Sequence, residues 1–433
     1  MKKKLIKKIN QKSAVIGIFG LGYIGLPLAL NFVDAGFKVL GFDIDSSKVM
    51  KLNNGESYIN YIKSSKILKS LKKFEATNDF SLSKYIDALI LCVPTPLKKN
   101  KIPDLNFIIN TMKMVSPYLN KGQILSLEST TYPGTTEEIL LPYIEKKNFK
   151  VGKDFFLVYS PEREDPGNIR YNTKSIPKIL GGYSKNCFQV GHALYNSSID
   201  KIVPVSSTKV AEMTKLLENI HRAVNIGLIN EMKIVADKMN IDIHEVVRAA
   251  ATKPFGFTSY YPGPGLGGHC IPIDPFYLTW KAKKIGVDTQ FIKLAGAVNT
   301  SMPKWVVEKI TKVLKKHKKK IKGLKVLVLG IAFKKNVQDT RESPGIEIMS
   351  LLKKKGAKID YSDPFVPKFP KMRRYNFKLS SINLTPMSIN SYDLLLIAAD
   401  HSKFDYSLIQ KKAKLIVDTR GVYEKVFKNV IKA

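Results

Sequence analysis

The chain has 433 residues and a formal net charge of +35, from 71 Lys and Arg against 36 Asp and Glu. That length supports two or three domains with ordinary cores, and its apolar (44%) and charged (25%) fractions exclude a collagenous, mucin-like or disordered chain. The charge raises nucleic acid as a partner, on a Rossmann-like scaffold. Lysine is spread along the chain, however, with no aromatic-interleaved strand or recognition helix, so it reads as solvated faces and a flexible N-terminal tail.

A basic start, Lys2 to Lys12, precedes an apolar run from Ala14 to Val33 that imitates a signal peptide or membrane anchor. Four glycines and a proline interrupt the run and Asp34 follows it, so no membrane association is expected. The run reads instead as a strand (Ala14–Phe19), a glycine turn and a helix (Leu26–Ala35), with a second strand at Lys38–Asp43: a βαβ unit. Strand-like runs recur at Ala88–Val93, Ile124–Glu128 and Phe155–Tyr159, which predicts a parallel, doubly wound sheet. Residues 207–239 read as one long helix. Met213, Leu217, Ile220 and Val224 form its apolar stripe, with Lys215, Asn219 and Arg222 on the opposite face. Helical segments follow at Ile243–Ala251 and Val306–Leu314, with a Gly- and Pro-rich loop, Pro254–Pro275, between them. A second α/β unit begins near residue 325, with strands at Lys325–Leu329, Lys358–Tyr361, Leu394–Ala398 and Leu415–Asp418 and a helix at Gly345–Lys354. The fold class is therefore α/β: an N-terminal Rossmann-like doubly wound domain (1–205), a central long-helix segment (206–317) and a C-terminal Rossmann-like α/β domain (318–433).

Gly20-Leu21-Gly22-Tyr23-Ile24-Gly25 is a G-x-G-x-x-G between a strand and a helix. Its glycines permit a tight turn, close approach of a pyrophosphate and close helix–strand packing. Asp43 ends the next strand, where an acid binds ribose hydroxyls and repels a 2′-phosphate, favouring NAD over NADP. Three cysteines, Cys92, Cys187 and Cys270, are too few for a disulfide framework and fit a reducing compartment, the cytoplasm. Cys92 ends a strand and Cys187 opens a helix, both ordinary structural positions. Cys270 lies in Gly265-Leu266-Gly267-Gly268-His269-Cys270, where glycines let a ligand approach the sulfur, and Asp274 follows four residues on. This favours a nucleophile over a core thiol; His269 reads as a loop residue. Lys215 and Asn219, an i, i+4 pair, offer an ammonium and an amide to a developing oxyanion, or simply form a solvated face. Ser160-Pro161-Glu162-Arg163-Glu164-Asp165-Pro166-Gly167 follows a strand, so Glu162 can serve as a base toward water. The segment from Phe333 to Pro344 places Lys334, Lys335 and Arg341 before a helix, suited to phosphates. The six histidines show no metal-ligand spacing, so no metal is expected.

In this order, and with Glu128-Ser129-Thr130-Thr131-Tyr132-Pro133-Gly134 between the first two sites, the motifs resemble the UDP-glucose/GDP-mannose dehydrogenase family along nearly the whole chain. The resemblance implies a two-step, four-electron oxidation of a UDP-sugar with two NAD. Cys270 would be the nucleophile, Lys215 and Asn219 the oxyanion stabilisers, and Asp274, Glu162 and Thr131 further catalytic groups. NAD would contact the glycine turn (Gly20, Gly22, Tyr23, Ile24, Gly25), Asp43, Lys48, Pro94, Thr95, Thr130 and Arg341. The sugar nucleotide would contact Glu162, Arg163, Lys215, Asn219, Tyr260, Tyr261, Gly267 and Lys334. The central helical segment would mediate a homodimer or higher homo-oligomer. Within the family, the residues around Glu162 and Cys270 look most like the UDP-N-acetylglucosamine 6-dehydrogenase branch, which feeds surface polysaccharide synthesis. UDP-glucose and UDP-N-acetylmannosamine oxidation are the alternatives. A hydroxyacid-type dehydrogenase with a helix lysine would need no cysteine.

Overall fold

Val15–Phe19 (β1) and Lys38–Phe42 (β2) pair in parallel around the helix Gly25–Asp34, as the apolar pattern requires. The structure, a computed structural model, describes residues 1–433 other than 60, 165–172, 269–270, 317 and 373, and the side chains of all but Lys99 among these. The chain forms two units, Met1–Glu218 with Phe276–Val287 and Asn219–Pro275 with Asp288–Ala433.

In the first unit the sheet continues through Phe74–Thr77 (β3), Ala88–Leu91 (β4), Ile124–Leu127 (β5), Phe156–Tyr159 (β6), Lys178–Gly182 (β7) and Ile202–Val205 (β8), in the order β3-β2-β1-β4-β5-β6-β7-β8. The order reverses beside β1 and β4, so the carboxyl ends of these two strands flank a crevice suited to a ligand. The sheet is parallel, as expected, apart from the antiparallel pairing of β6 with β7, a strand the sequence pattern does not predict. The strand β7 escapes a pattern reading because it ends in Gly181 and Gly182, poor strand formers. Close packing requires both: a Cβ on Gly181 would lie 2.2 Å from the Ser207 carbonyl oxygen, and one on Gly182 2.5 Å from the Phe188 nitrogen.

The lysine-rich start is not a flexible tail. Lys2–Asn10 is a helix that buries Leu5 and Ile9, an i, i+4 apolar pair masked by its lysines. Lys2 secures it by donating to Asn186 and Gln189 at 2.8 and 2.7 Å.

The long helix, Thr208–Lys238, has the expected length, and Ile220 of the expected apolar stripe is buried, but the stripe as a whole does not face the core. Met213 and Leu217 are 42% and 61% exposed, whereas Glu212, Lys215, Asn219, Asn230 and Lys233 are buried. The polar stripe faces inward because each of its members finds a partner there, whereas apolar periodicity alone assumes an apolar core.

In the second unit, Lys325–Leu329 (β9), Lys358–Ser362 (β10), Leu394–Ile397 (β11), Ile416–Asp418 (β12) and Val430–Lys432 (β13) form a parallel sheet ordered β10-β9-β11-β12-β13. The helix expected at Val306–Leu314 is the last part of Gln290–Lys316, which runs through Pro303. A continuous buried stripe of Ala295, Asn299, Met302, Val306, Ile310 and Leu314 offsets the roughly 3 kcal/mol that an internal proline costs. The Gly- and Pro-rich loop is shorter than expected, because Asp274 and Pro275 open the helix Asp274–Lys284, whose first turn tolerates proline. Among the described residues no helix is long and apolar enough to cross a membrane.

Candidate functional site

The turn after β1 is built for close approach. Gly20 adopts φ +92°, and a Cβ on Gly25 would lie 1.9 Å from the Gly20 carbonyl oxygen, so only glycine lets the helix start this close to the strand. A Cβ on Gly22 would meet nothing within 4 Å, so its backbone faces open space at the start of the helix, with Tyr23 and Ile24 completing the turn. Asp43 follows β2 and accepts from the Leu21 and Asp45 nitrogens, each at 3.0 Å, and from Lys48 Nζ at 3.3 Å. Pro94 and the buried Thr95 follow β4, and Thr130 and Thr131 follow β5, so the candidate cofactor residues of this unit gather at one sheet edge. The Thr131 hydroxyl is buried without a hydrogen-bond partner. An acid at the second strand's end, an open glycine and an orphaned hydroxyl together fit a dinucleotide carrying free ribose hydroxyls.

Next along this edge, β6 delivers Glu162. Lys215 Nζ donates to the Glu162 carbonyl oxygen at 2.6 Å and lies 3.6 Å from its carboxylate, with both residues buried. Two of the three candidate catalytic groups of this unit, Lys215 and Glu162, are thus adjacent. Glu162 also lines a narrow crevice with Ile24 of the glycine turn, Arg163 and Glu164. Burial pushes the Glu164 carboxyl up to about 7. The Arg163 guanidinium is held by Glu218 at 2.7 Å and by the Pro177 carbonyl oxygen at 2.7 Å. Asp165, Pro166 and Gly167 of this motif lie outside the described residues.

In the second unit Asn219 Nδ2 donates directly to Asp274 Oδ2 at 2.5 Å, a contact made possible because Asp274 opens a helix instead of sitting in the loop. Cys270 and His269 lie outside the described residues, but the loop leading to them is described. Gly267 packs where a Cβ would lie 2.6 Å from Phe333 Cβ, Gly268 has φ +85°, and its nitrogen donates to the Arg341 carbonyl oxygen at 2.8 Å. The glycine loop therefore threads against the Phe333–Pro344 segment, bringing together motifs well separated in the chain. Arg341 forks onto Asp339, with Nη2 to Oδ2 at 2.6 Å, and Lys334 is half-buried in the same segment. Tyr260 donates to or accepts from His221 Nδ1 at 3.2 Å, whereas Tyr261 is 50% exposed.

Cys92 and Cys187 are buried as structural thiols; burial pushes the Cys92 thiol well up, and Cys187 Sγ accepts from the Leu157 nitrogen at 3.3 Å. Among the described residues no group of three His, Cys, Asp or Glu could hold a metal ion.

Two buried groups escape a pattern reading. Glu128, at the end of β5, pairs with Lys178 Nζ at 2.7 Å and accepts from the Tyr195 hydroxyl at 2.7 Å. Lys178 starts a glycine-ending strand that gives no signal of its own. Glu212 accepts from the Gly134 and Thr136 nitrogens and the Thr136 hydroxyl. Its signal was available: it sits one turn before Lys215 on the same helix face.

Comparison with known proteins bears directly on this arrangement. Models of the UDP-glucose/GDP-mannose dehydrogenase family match in three parts: the NAD binding domain over residues 14–199, the central domain over 209–301 and the UDP binding domain over 327–425. The chain is 35% identical over 400 residues to a UDP-N-acetyl-D-glucosamine 6-dehydrogenase of Pseudomonas aeruginosa, covering 91% of this chain and 92% of that protein. It is 32% identical over 415 residues to a UDP-N-acetyl-D-mannosamine dehydrogenase of Pyrococcus horikoshii, covering 94% and 95%. A solved UDP-D-ManNAc dehydrogenase from Pyrococcus horikoshii superposes with a TM-score of 0.87 at 30% identity, covering 96% of this chain and 98% of that one.

Proposed function

The chain belongs to the UDP-glucose/GDP-mannose dehydrogenase family and is an NAD-dependent UDP-sugar dehydrogenase; from that premise we propose that it oxidises UDP-N-acetylglucosamine at C6 to the uronate, for surface polysaccharide synthesis. The observation that carries the chemistry is the buried Lys215–Glu162 pair beside the glycine turn. The choice of sugar is supported by the greater identity to the glucosamine-type relative, 35% against 32%.

Bound NAD supplies a hydride acceptor for each of the two oxidations. Lys215, with Asn219, stabilises the C6 oxygen as its proton leaves and an aldehyde forms. The Cys270 thiolate adds to that aldehyde to give a thiohemiacetal, which binds the intermediate covalently before it can escape. Loss of a second hydride and the hydroxyl proton leaves a thioester. Water then attacks the acyl carbon, giving up a proton to Glu162, and the C–S bond breaks to release the carboxylate and restore the thiol. Asp274, hydrogen-bonded to Asn219, and Thr131, with its unpartnered hydroxyl, assist through water. Asp43 and Lys48 take the adenosine ribose of NAD, with Pro94, Thr95, Thr130 and Arg341 along its length. Arg163, Tyr260, Tyr261, Gly267 and Lys334 hold the UDP-sugar. The sequence is divided as 1–205 for NAD, 206–317 for assembly and the cysteine loop, and 318–433 for UDP.

Assembly as a homodimer is supported by the long helix, whose outer face carries Leu228, Met232 and Val235 at 57, 43 and 46% exposure. A cytoplasmic location is supported by the two free cysteines, Cys92 and Cys187, and by the need for a reduced Cys270.

NADH release against a panel of UDP-sugars tests the reading. Two equivalents per UDP-N-acetylglucosamine are expected, with little turnover of UDP-N-acetylmannosamine or UDP-glucose; the reverse preference overturns the sugar assignment. Cys270→Ser is expected to abolish acid formation while the protein stays folded. Two NADH per sugar from that variant would refute covalent catalysis.

A further inference from the structure

The segment that carries Thr130 and Thr131 is fixed at its two ends. Upstream, Ser129 Oγ donates to the Val93 carbonyl oxygen at 2.7 Å, and the Tyr159 hydroxyl donates to the Ser129 carbonyl oxygen at 3.2 Å. Downstream, the fully buried Glu212 reaches across from the long helix. Its Oε2 accepts from the Gly134 nitrogen at 2.5 Å, and its Oε1 accepts from the Thr136 nitrogen at 2.8 Å and the Thr136 hydroxyl at 2.7 Å. Between these pins the Thr131 hydroxyl waits without a partner.

We propose that Glu212 is a positioning residue for the cofactor step: its carboxylate holds the Thr130–Thr131 segment in the shape that grips NAD. The proposal rests on the reading of Thr130 as an NAD contact. The three donors suit an ionised carboxylate, whose two oxygens accept without offering a hydrogen. A protonated acid sets a donor against one of them, with the Gly134 N–H the least able to turn away. Burial, opposed by the three hydrogen bonds and reinforced by Glu137, pushes the Glu212 carboxyl up to about 7. The other charged and titratable groups about it are largely engaged. Lys209 pairs with Glu137 at 2.8 Å, Lys281 with Glu138, and Lys215 with Glu162, while the Tyr132 phenol is pushed up to about 12, by burial first. The grip on NAD is therefore complete above about pH 7 and loosens below it.

The test measures the NAD dissociation constant of the full chain by quenching of its tryptophan fluorescence between pH 6 and 8.5, with the KM for NAD and kcat beside it. The wild type is expected to bind NAD about tenfold more tightly at the alkaline end, the scale of one charge-assisted hydrogen bond. Glu212→Gln keeps the volume but points an amide N–H at Gly134. It is expected to bind about tenfold more weakly at pH 8 and to lose most of the pH dependence, with the change in KM exceeding that in kcat. Should that variant fail to fold, Thr136→Val removes only the hydroxyl donor and is expected to weaken NAD binding severalfold. Thr130→Ala separates the two ideas. If it weakens NAD binding while Glu212→Gln (or Thr136→Val in its place) behaves as wild type, the positioning role is overturned and the Thr130 contact stands. If Thr130→Ala binds NAD as tightly as wild type, the contact falls, and the proposal with it.

Discussion

Lys178→Met is the sharpest probe of how the first unit is held together. Lys178 is the cationic partner of Glu128, at 2.7 Å, and the two side chains are 10% and 1% exposed. Methionine nearly preserves the volume of the aliphatic stem but leaves Glu128 with the Tyr195 hydroxyl at 2.7 Å and no opposite charge. Removing one member of a buried pair costs about 3–5 kcal/mol, because the remaining charge stays desolvated. At roughly 2–4 °C per kcal/mol for a unit of this size, the melting temperature should fall by about 6–20 °C. The double variant Lys178→Met with Glu128→Gln removes the stranded charge and keeps an acceptor for Tyr195, so it should regain at least half of the loss. Calorimetry on the wild type, both singles and the double closes the cycle. If the lysine variant melts within about 2 °C of wild type, or the double melts no higher than that single, the pair is not what holds β5 and β7 together and the reasoning fails.

Two further outcomes follow from the second unit. Burial pushes the Lys233 ammonium down to about 7 and the His244 imidazole down to about 4, and neither His244 ring nitrogen has a hydrogen-bond partner. Both groups are less basic folded than unfolded, so the stability each contributes is fully present only above its unfolded value, 10.5 for Lys233 and 6.5 for His244. It is lost as pH falls through the folded one. Denaturant midpoints should therefore rise from pH 7 to 10 in the wild type and rise much less in Lys233→Met, and His244→Phe should remove the loss between pH 6.5 and 4; unchanged slopes in these variants refute the assignment. On the exposed helix face, Met232→Glu with Val235→Glu should convert a dimer into monomers in light scattering, and an unchanged mass would place the interface elsewhere.

The fold was legible wherever burial follows an apolar run. The strands β1, β2, β4, β5, β6, β9, β11 and β12 are short, mostly apolar stretches, β10 (KIDYS) carries only Ile359 and Tyr361 as apolar residues, and all appear within a residue or two of where their pattern puts them. What was hidden depends on partners distant in sequence. Leu5 and Ile9 look like isolated residues among lysines until the helix Lys185–Asn196 lies beside them. The inward polar face of the long helix violates the usual pattern because Lys215, Asn219 and Asn230 are each satisfied by a group from another segment: Glu162, Asp274 and Gly263. The site motifs were legible as residue types. Their pairing was not, since spacing along the chain does not say that Gly268 will donate to Arg341.

The two sheets also explain why only one of the two β–turn–α starts is shaped for a dinucleotide. Each has a positive-φ glycine after its first strand, Gly20 and Gly330, and an acid after the next, Asp43 and Asp363. A carboxylate offers about four acceptor sites. Asp43 fills three of them, with the Leu21 and Asp45 nitrogens and Lys48, and so retains capacity for a ribose hydroxyl. Asp363 is contacted by the nitrogens of Ile331, Ala332, Phe365 and Val366 and by His401 Nε2, and its side chain is fully buried. That acid is consumed in holding its own turn. His401 Nδ1 in turn accepts from the Asn336 nitrogen at 2.9 Å, so the saturated acid fixes the segment that carries Lys334 and Arg341. The same local geometry thus leaves an acceptor open in one unit, as the proposed ribose contact requires, and in the other gives up that capacity to fix a basic loop suited to phosphates.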